Sequence, residues 1–206
     1  MTQNPEPKSY HHGNLRQSLV DEAVRQLEAS GVESLSLRKV AAGVGVSHTA
    51  PYRHFRNKDE LLAAVAAEGF GALRICMEEA GSRETKAPAR LIAIGVAYVT
   101  FAVQHPSHFR VMFRLHPEAP EELQRLGQAA FQVMVETIEA GIQANQFREA
   151  SLETLGLAAW TMVHGQASLL LDGLLRDPQM QQENLCKHAE QQARGILPNL
   201  LEGLLR

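Results

Sequence analysis

Cysteine is nearly absent from this chain of 206 residues: only Cys76 and Cys186 occur, far apart and in no Cys-x-x-Cys pair. This scarcity excludes a disulfide framework and argues against a zinc site built on thiolates. We expect both cysteines to be reduced thiols in the core. Long apolar runs are also missing, since no stretch approaches the roughly 20 residues that span a membrane, and the first residues lack the basic-then-apolar pattern of a secretion signal. The sequence therefore predicts a cytoplasmic protein.

Aromatic residues make up only 5% of the chain, although apolar residues as a whole make up 45%. The apolar residues do not alternate with polar ones for long at the period of two that is typical of half-buried strands. Ala and Leu are abundant, so we predict an all-α fold. The net charge of −3 argues against a general nucleic-acid coat or a membrane-surface protein.

Acidic residues are missing from one stretch of this acidic chain. Between Ser34 and Lys58 there are five Lys or Arg residues and no Asp or Glu. A short positive segment of this kind favours contact with phosphate groups. The alternative is a solvated helical hairpin whose charge bias is accidental.

The same stretch has the spacing of two short helices joined by a tight turn. Ser36 can cap the first helix, and Ala41 is a small residue four positions before Gly45, which can adopt the left-handed conformation of a sharp turn. Ser47 can cap the second helix. Pro51 would be its fourth residue, so that only the first intrahelical hydrogen bond is lost. The pattern predicts a helix-turn-helix that binds DNA.

The chemistry of the side chains suggests their contact roles. Candidates for base edges and phosphates are Ser47, His48, Thr49 and Tyr52, and candidates for phosphates only are Arg38, His54 and Lys58. Near the start of the chain, candidates for the DNA backbone or minor groove are Tyr10, His11, His12 and Arg16. The alternative for this last group is a merely polar leader.

Two motifs resemble known sequences. Residues 44–61, Val-Gly-Val-Ser-x4-Tyr-x-His-Phe-x-x-Lys-x-x-Leu, resemble the DNA-binding domain of TetR-family regulators. The segment Trp160-Thr-Met-Val-His164-Gly165 is similar to the Trp-His-Gly subgroup of TetR-family C-terminal domains. With Tyr-His-His-Gly near the start, the resemblance covers nearly the whole chain. Its N-terminal part is highly specific for the family, whereas its C-terminal part says little about the ligand.

The organisation of the chain follows from these motifs. Residues 1–9 are predicted to be a flexible arm and residues 10–57 the helix-turn-helix domain. A helix over residues 58–80, capped by Asn57, connects this domain to an effector-binding and dimerisation domain over residues 81–206. Further helices are expected from Pro88 to Pro106, from Ser107 to Pro117, and over residues 120–145, 151–176 and 179–205.

Adaptable Met and aromatic side chains in residues 81–206 are candidates for lining an apolar effector cavity, although core packing would account for them equally well. They are Tyr98, Phe101, Phe109, Met112, Phe113, Phe131 and Met134. Trp160 and His164 are further candidates, because they are four residues apart and share a helix face. The alternative for this pair is a role in the core and the subunit contact.

No catalytic or metal site is expected. Ser168 lies beside His164 and Asp172 on one helix face, but a catalytic triad needs side chains that converge from different elements. A proline separates His105 from His108, which argues against a metal pair. No glycine-rich phosphate loop is present. We therefore expect neither a cofactor nor enzyme activity.

The resemblance implies how such a protein works. A homodimer would form through helices 151–176 and 179–205 as a four-helix bundle and bind a near-palindromic DNA operator. Release by a small-molecule effector of unknown identity makes a ligand-responsive repressor the expected function, with an activator or an architectural DNA-binding protein as alternatives. Apolar positions compatible with the bundle are Leu155, Ala159, Leu169, Leu174, Ile196 and Leu200, and a tight helix contact is expected at Gly156, Gly165 and Gly173.

Overall fold

The computed structural model describes residues 15–114, 120–177 and 179–202. The predictions for the arm and for Tyr10, His11 and His12 lie outside these residues. Every regular element in the described ranges is helical, which confirms the all-α class. The α-helices are α1 (Leu15–Ser34), α2 (Leu37–Val44), α3 (Lys58–Ser82), α4 (Ala87–Gln104), α5 (Pro106–Met112), α6 (Glu121–Gln143), α7 (Leu152–Leu171) and α8 (Gln182–Glu202).

Contacts divide the chain into two units, with the boundary between Leu62 and Ala63 inside α3. In the first unit α1 packs against α2, and α2 packs against a 3₁₀ turn over Ala50–Arg53. The buried apolar residues of this unit are Leu19, Val20, Ala23, Leu27, Leu35, Leu37, Val40, Ala41, Phe55 and Leu61. This small core holds α2 and the 3₁₀ turn at a fixed angle.

The first helix of the predicted helix-turn-helix is α2. The Ser36 hydroxyl accepts a hydrogen bond from the backbone N–H of Lys39, which confirms the predicted cap. Gly45 ends the helix at φ +80°, a conformation that strains any residue with a Cβ. The N–H groups of Gly45 and Val46 donate back to carbonyls of the last helical turn. The sharp turn thus depends on the glycine.

The second helix starts later and is shorter than the sequence predicts. A helix capped by Ser47 is expected, but only the 3₁₀ turn over Ala50–Arg53 forms, and Thr49 precedes it. The carbonyl oxygen of Ser47 accepts from the Ala50 N–H at 3.0 Å, three residues on. An α-helix capped at Ser47 would need an N–H from Pro51 in its first turn, and proline has none. The predicted cap at Ser47 is therefore wrong.

The connecting helix forms as α3. Asn57 Oδ1 accepts the Glu60 N–H at 2.9 Å, which confirms the predicted cap. The helix ends at Ser82, two residues beyond the predicted end. Its buried apolar residues are Leu61, Val65, Ala66, Phe70, Leu73 and Met77. Since the boundary between the units falls within it, α3 belongs to both.

The central helix of the second unit is α4, which packs against α6, α7 and α8. It begins one residue before Pro88 and ends two residues before Pro106, close to the predicted bounds. By length and composition alone α4 could cross a membrane, with a mean hydropathy of 1.4. More than half of it is buried inside the unit, and its buried residues are Leu91, Ile94, Gly95, Val96, Tyr98, Val99, Phe101, Ala102 and Val103. Its apolar character is that of a core helix.

The last two helices are shorter than predicted. α7 ends at Leu171, five residues before the predicted end at 176. Gly173 at φ +79° turns the chain, and the Leu174 N–H donates to Leu169 O at 2.9 Å across the turn. α8 begins at Gln182, three residues later than predicted. The glycine that the sequence suggests as part of a helix contact is in fact the stop signal of α7.

The three glycines of this region do not share one helix contact, so that prediction is wrong within the folded chain. Gly156 packs on α6, because a Cβ there would lie 3.0 Å from Val135 Cγ2 and 3.2 Å from Phe131 Cζ. Gly173 belongs to the turn after α7. At Gly165, a Cβ would have no neighbouring element of the described chain within 4 Å. Packing within one chain does not explain Gly165.

Both cysteines are free thiols at half-buried positions, so their predicted place in the core is wrong. Burial, together with the charge of Glu79, raises the pKa of the Cys76 thiol. Cys186 Sγ accepts a hydrogen bond from Gln104 Nε2 at 3.3 Å. The raised pKa of Cys76 disfavours the thiolate form that redox chemistry needs.

Candidate nucleic-acid interface and ligand cleft

The predicted DNA-contact residues of the first unit lie on its surface. The exposed ones on α2, the loop and the 3₁₀ turn are Arg38, Ser47, His48, Thr49, Tyr52 and His54. Tyr52 is 53% exposed in spite of its size, whereas Phe55 is only 2% exposed. The Phe55 N–H donates to the carbonyl of Pro51, and the Arg16 guanidinium lies over the Phe55 ring at 5.3 Å from its centroid. One aromatic ring thus anchors the turn while the other remains available for contact.

Two arginines supply the unbalanced positive charge of this surface. Among the described residues, Arg38 and Arg53 have no side-chain hydrogen bond or ion pair, and both are exposed. Lys39 Nζ donates to the last carbonyl of α1 at 2.9 Å. Arg56 is paired with Glu60, and its backbone and side-chain hydrogen bonds lower the pKa of that carboxyl. As far as the described residues are concerned, the guanidiniums of Arg38 and Arg53 can bind an anion.

Lys58 has a partner that the sequence does not reveal. Its Nζ donates to Val32 O at 2.6 Å, 26 residues earlier, and the side chain is half-buried. The ammonium therefore ties the start of α3 to the end of α1. It keeps two further N–H donors at a helix N-terminus, where anions bind favourably. Phosphate contact by Lys58 stays a prediction beside this structural role.

We expect Lys58→Met to lower the free energy of unfolding of the first unit by about 1–2 kcal/mol, because Val32 O loses a charge-assisted hydrogen bond. Urea unfolding followed by circular dichroism measures the change. Lys39→Met is the matched control, since Lys39 is exposed and its hydrogen bond lies on the surface. Equal unfolding midpoints for Lys58→Met and wild type would leave Lys58 without a structural role.

A buried carboxylate braces α1 against α2 beneath this surface. Glu22 is 8% exposed and accepts hydrogen bonds from Arg25 Nε at 2.8 Å and Gln26 Nε2 at 2.7 Å. Burial by itself raises the pKa of Glu22, but the hydrogen bonds and the charge of Arg25 outweigh it, so the pKa is lowered overall. Gly43 of α2 packs directly on this carboxylate. The Glu-x-x-Arg spacing indicates the ion pair of Glu22 with Arg25, but no sequence pattern predicts the contact of Glu22 with Gly43.

In the second unit, predicted pocket residues surround His164. The imidazole stacks on Phe109 with ring centroids 5.3 Å apart, and its centroid lies 4.4 Å from that of Phe113 and 5.3 Å from that of Trp160. Phe131 extends the group through Trp160, at 6.2 Å between centroids. The tertiary structure thus brings together residues of α5, α6 and α7.

Three other pocket candidates are buried and do not belong to the residues that line the cleft described below. Phe101 packs on the ring of His105, at 4.8 Å between centroids. Met112 packs against Gly69 of α3. Met134 is 2% exposed on α6. Their positions are those of core residues.

A hydrogen-bonded chain joins Trp160, Tyr98 and His164. Trp160 Nε1–H donates to Tyr98 Oη at 3.3 Å, and Tyr98 Oη lies 2.9 Å from His164 Nδ1. Nδ1 is the one acceptor within reach of the buried Tyr98 O–H among the described residues, so we assign the hydroxyl as the donor, which places the imidazole proton on Nε2. Burial raises the pKa of Tyr98 far above its usual range, against the opposing effect of the Trp160 hydrogen bond, and lowers the pKa of His164. Both groups are therefore neutral at pH 7.

A cleft of about 350 Å³ lies beside His164. Its lining residues come from α5, α7 and the residues just after each, and are Phe109, Arg110, Phe113, Arg114, His164, Ser168, Leu171 and Asp172. Phe109, Phe113 and His164 are among the pocket candidates that the sequence predicts, whereas the two arginines are not. The sequence spacing does indicate which of these side chains share a face, since the two phenylalanines are four residues apart and so are the two arginines. Ser168 lies on α7 with His164, and Asp172 caps the end of the same helix, so the cleft does not assemble a triad from different elements.

We expect acid to destabilise the protein partly through His164. Its pKa lies below the ordinary 6.5 in the folded protein, so the unfolded chain takes up this proton first as the pH falls. The stability is fully present above pH 6.5 and declines as the pH falls through the folded pKa. The titratable or charged side chains near the imidazole are Tyr98, which is hydrogen-bonded to it, and Arg110, Arg114 and Asp172, which line the same cleft.

Thermal unfolding of wild type and His164→Gln between about pH 5 and pH 8 tests this expectation. The variant should lose part of the decline in Tm between about pH 6.5 and pH 5. Parallel curves for the two proteins would mean that another group causes the decline.

No three His, Cys, Asp or Glu residues within 15–114, 120–177 and 179–202 are placed to hold a metal ion. The rings of His105 and His108 make an edge contact, with centroids 6.0 Å apart. That geometry is a packing contact between two imidazoles.

Two family models match the chain. Residues 19–65 match "Bacterial regulatory proteins, tetR family", and residues 91–190 match "Tetracyclin repressor-like, C-terminal domain". The Trp-His-Gly subgroup suggested by the sequence stays a prediction.

Solved structures share the fold over nearly the whole chain. A Rhodococcus sp. RHA1 protein of unknown function is 32% identical, with a TM-score of 0.80 over 97% of this chain and 100% of that one. A tetR-family regulatory protein from Rhodococcus RHA1 is 23% identical, with a TM-score of 0.69 over 89% and 95%. The regulator FadR from Bacillus subtilis, in complex with stearoyl-CoA, is 15% identical, with a TM-score of 0.75 over 91% and 98%.

Proposed function

This chain belongs to the TetR family of bacterial transcriptional regulators, and we propose that it is a ligand-responsive repressor. In this proposal a homodimer binds a near-palindromic operator in the cytoplasm, and a small-molecule effector releases it. The observation that carries the proposal is the exposed helix-turn-helix surface, where the guanidiniums of Arg38 and Arg53 have no partner within the described part of the chain. The second unit supplies a cleft for the effector.

The DNA-contact roles follow from exposure and chemistry. Tyr52, His48 and Thr49 are exposed at or before the 3₁₀ turn and are proposed to contact base edges and nearby phosphates. The free guanidiniums of Arg38 and Arg53 are proposed to bind phosphates. In a dimer, two such surfaces would enter successive major grooves, about 34–36 Å apart or somewhat more.

Apolar residues left exposed on the last two helices support the proposed dimer. The exposed large ones on α7, α8 and the turn between them are Leu157, Leu169, Leu174 and Ile196. Leu155 and Ala159, also expected to serve the four-helix bundle, are instead 6% and 3% exposed in a core cluster of their own chain. The subunit contact therefore has to use the other side of α7, where Gly165 also leaves space.

The cleft and α3 support the proposed ligand response. FadR shows that a protein of this fold binds an acyl-CoA. Here the effector would bind beside α5 and α7 and shift α3, which begins in the helix-turn-helix unit and continues into the second unit. Coupling between two sites is reciprocal, so operator DNA should weaken effector binding by the same factor.

Fluorescence anisotropy with the chromosomal DNA upstream of the gene tests the proposed function. The purified protein is titrated against this DNA and a scrambled control at several salt concentrations, with and without a panel of metabolites. Selective, salt-sensitive binding that one compound reverses is the expected result.

Two outcomes would contradict the proposal in different ways. Equal binding to upstream, scrambled and selected random DNA would indicate an architectural protein. Selective binding combined with ligand-dependent stimulation of transcription in a purified system would indicate an activator.

A further inference from the structure

The cleft beside His164 combines two stacking rings with two cationic side chains. Phe109 and Phe113 line it together with Arg110 and Arg114, and the imidazole of His164 stacks on Phe109. Aromatic rings that line a small cavity favour a flat apolar ligand. The volume of about 350 Å³ is at the lower end of the range for small-molecule sites.

The position of one arginine is fixed by the backbone. Arg110 Nη2 donates to Leu171 O at 3.1 Å, which holds the guanidinium between α5 and the end of α7. A guanidinium has five N–H donors, so others remain for a ligand. Among the described residues that line the cleft, Asp172 is the only carboxylate, against two arginines. The formal charges of these lining residues therefore sum to a positive value.

His164 adds a neutral hydrogen-bond donor to the lining of the cleft. Its Nδ1 is occupied by the Tyr98 hydroxyl, so its proton lies on Nε2. Among the described residues, this N–H has no hydrogen-bond partner, although the imidazole is half-buried. A ligand that accepts hydrogen bonds would satisfy it.

We infer that this cleft binds a small aromatic carboxylic acid. The carboxylate accepts hydrogen bonds from Arg110 and Arg114, with His164 Nε2–H as a further donor, and the ring packs against Phe109 and Phe113. Pairing of a guanidinium with a carboxylate is the strongest interaction that these groups offer. As a statement about the effector, this inference rests on the proposed function; as a statement about binding, it rests on the cleft alone.

The test compares 2-naphthoate with 2-naphthamide, which has the same ring system without the charge. Isothermal titration calorimetry at pH 7.5 measures both affinities, and fluorescence reports on occupancy because Trp160 is the only tryptophan of the chain and contacts His164. We expect 2-naphthoate to bind at least about 10-fold more tightly than 2-naphthamide and to change the Trp160 emission.

Two variants assign the preference to the arginines. Arg114→Gln and Arg110→Gln should each remove most of the preference for the acid while leaving 2-naphthamide binding within about 2-fold of wild type. Residual amide binding also shows that the variant is folded, which matters because Arg110 joins α5 to α7. Arg148→Gln, an exposed arginine outside the cleft lining, is the control and should keep the preference.

Three outcomes would overturn the inference: no 2-naphthoate binding up to about 10 mM, equal affinity for acid and amide, or unchanged preference in both arginine variants. The DNA experiment is independent of these results. Selective operator binding without acid binding would remove the inference and leave the regulator, whereas acid binding without selective DNA binding would remove the proposed function and leave the site.

Discussion

Gly165→Glu is expected to leave the chain folded but monomeric, and to weaken operator binding by about 100-fold or more. Within one chain, a Cβ at this position would meet no neighbouring element of the described residues. Glycine in a helix interior costs about 1 kcal/mol relative to alanine, so any replacement that fits should not reduce helix stability. In a two-fold dimer built on α7, the same substitution would place two carboxylates in the subunit contact.

The loss of operator affinity in Gly165→Glu follows from the proposed binding of DNA by a dimer. Two unpaired carboxylates in a close helix contact cannot keep their hydration, and the penalty amounts to several kcal/mol. A monomer contacts a single operator half-site, which removes half of the interface with DNA. Analytical ultracentrifugation measures the mass, circular dichroism the fold, and fluorescence anisotropy the operator affinity.

Two controls separate the dimer contact from effects on folding. Gly165→Ala adds a single methyl group and should remain a dimer. Gly71→Glu introduces the same charge on α3, where a Cβ also has open space, and should remain a dimer too. A dimeric Gly165→Glu protein with normal operator affinity would place the subunit contact somewhere other than this side of α7.

The double variant Arg38→Gln and Arg53→Gln should bind the operator about 10²- to 10³-fold more weakly at physiological salt. Both guanidiniums are exposed and unpaired among the described residues, so the substitutions remove no contact from the folded chain. In a dimer, the change removes four charges that neutralise phosphates. Because each such contact adds about 0.9 to the slope of log K against log salt, the slope should fall by about 3–4.

Salt titrations by anisotropy, on operator and scrambled DNA, measure this slope. Arg83→Gln is the matched control, because Arg83 is exposed in the loop between α3 and α4 of the other unit. If the slope is unchanged, these arginines do not contact phosphates. If only specific binding weakens, one of them contacts a base edge instead, and single variants would identify it.

The fold and the family were accessible from sequence because their signals are local. A cap at Ser36, a left-handed turn at Gly45 and a cap at Asn57 are each decided by residues within one or two turns, and all three are confirmed. Pro51 shows where local inference fails. Its position in the first turn is tolerable for an α-helix, but the carbonyl of Ser47 takes the Ala50 N–H, and a 3₁₀ turn results.

The sites were only partly accessible for the same reason. Phe109, Phe113 and His164 were candidates because of their residue types, but their meeting depends on the packing of α5 against α7. The arginines of the cleft looked like ordinary surface charges. The bond from Lys58 to Val32 joins residues 26 apart, and no sequence period indicates it.

The sequence by itself determined the helical class, the helix-turn-helix and the family, because periodicity, caps and turn residues act over short separations. Only the tertiary structure decided which side chains remain free. It left Arg38 and Arg53 without a partner in the described ranges, paired Lys58 with a backbone carbonyl, and buried Leu155 and Ala159 in the core of their own chain. Whether a polar or apolar group is available for a partner depends on what the folded chain has already placed against it, and that is set by contacts distant in sequence.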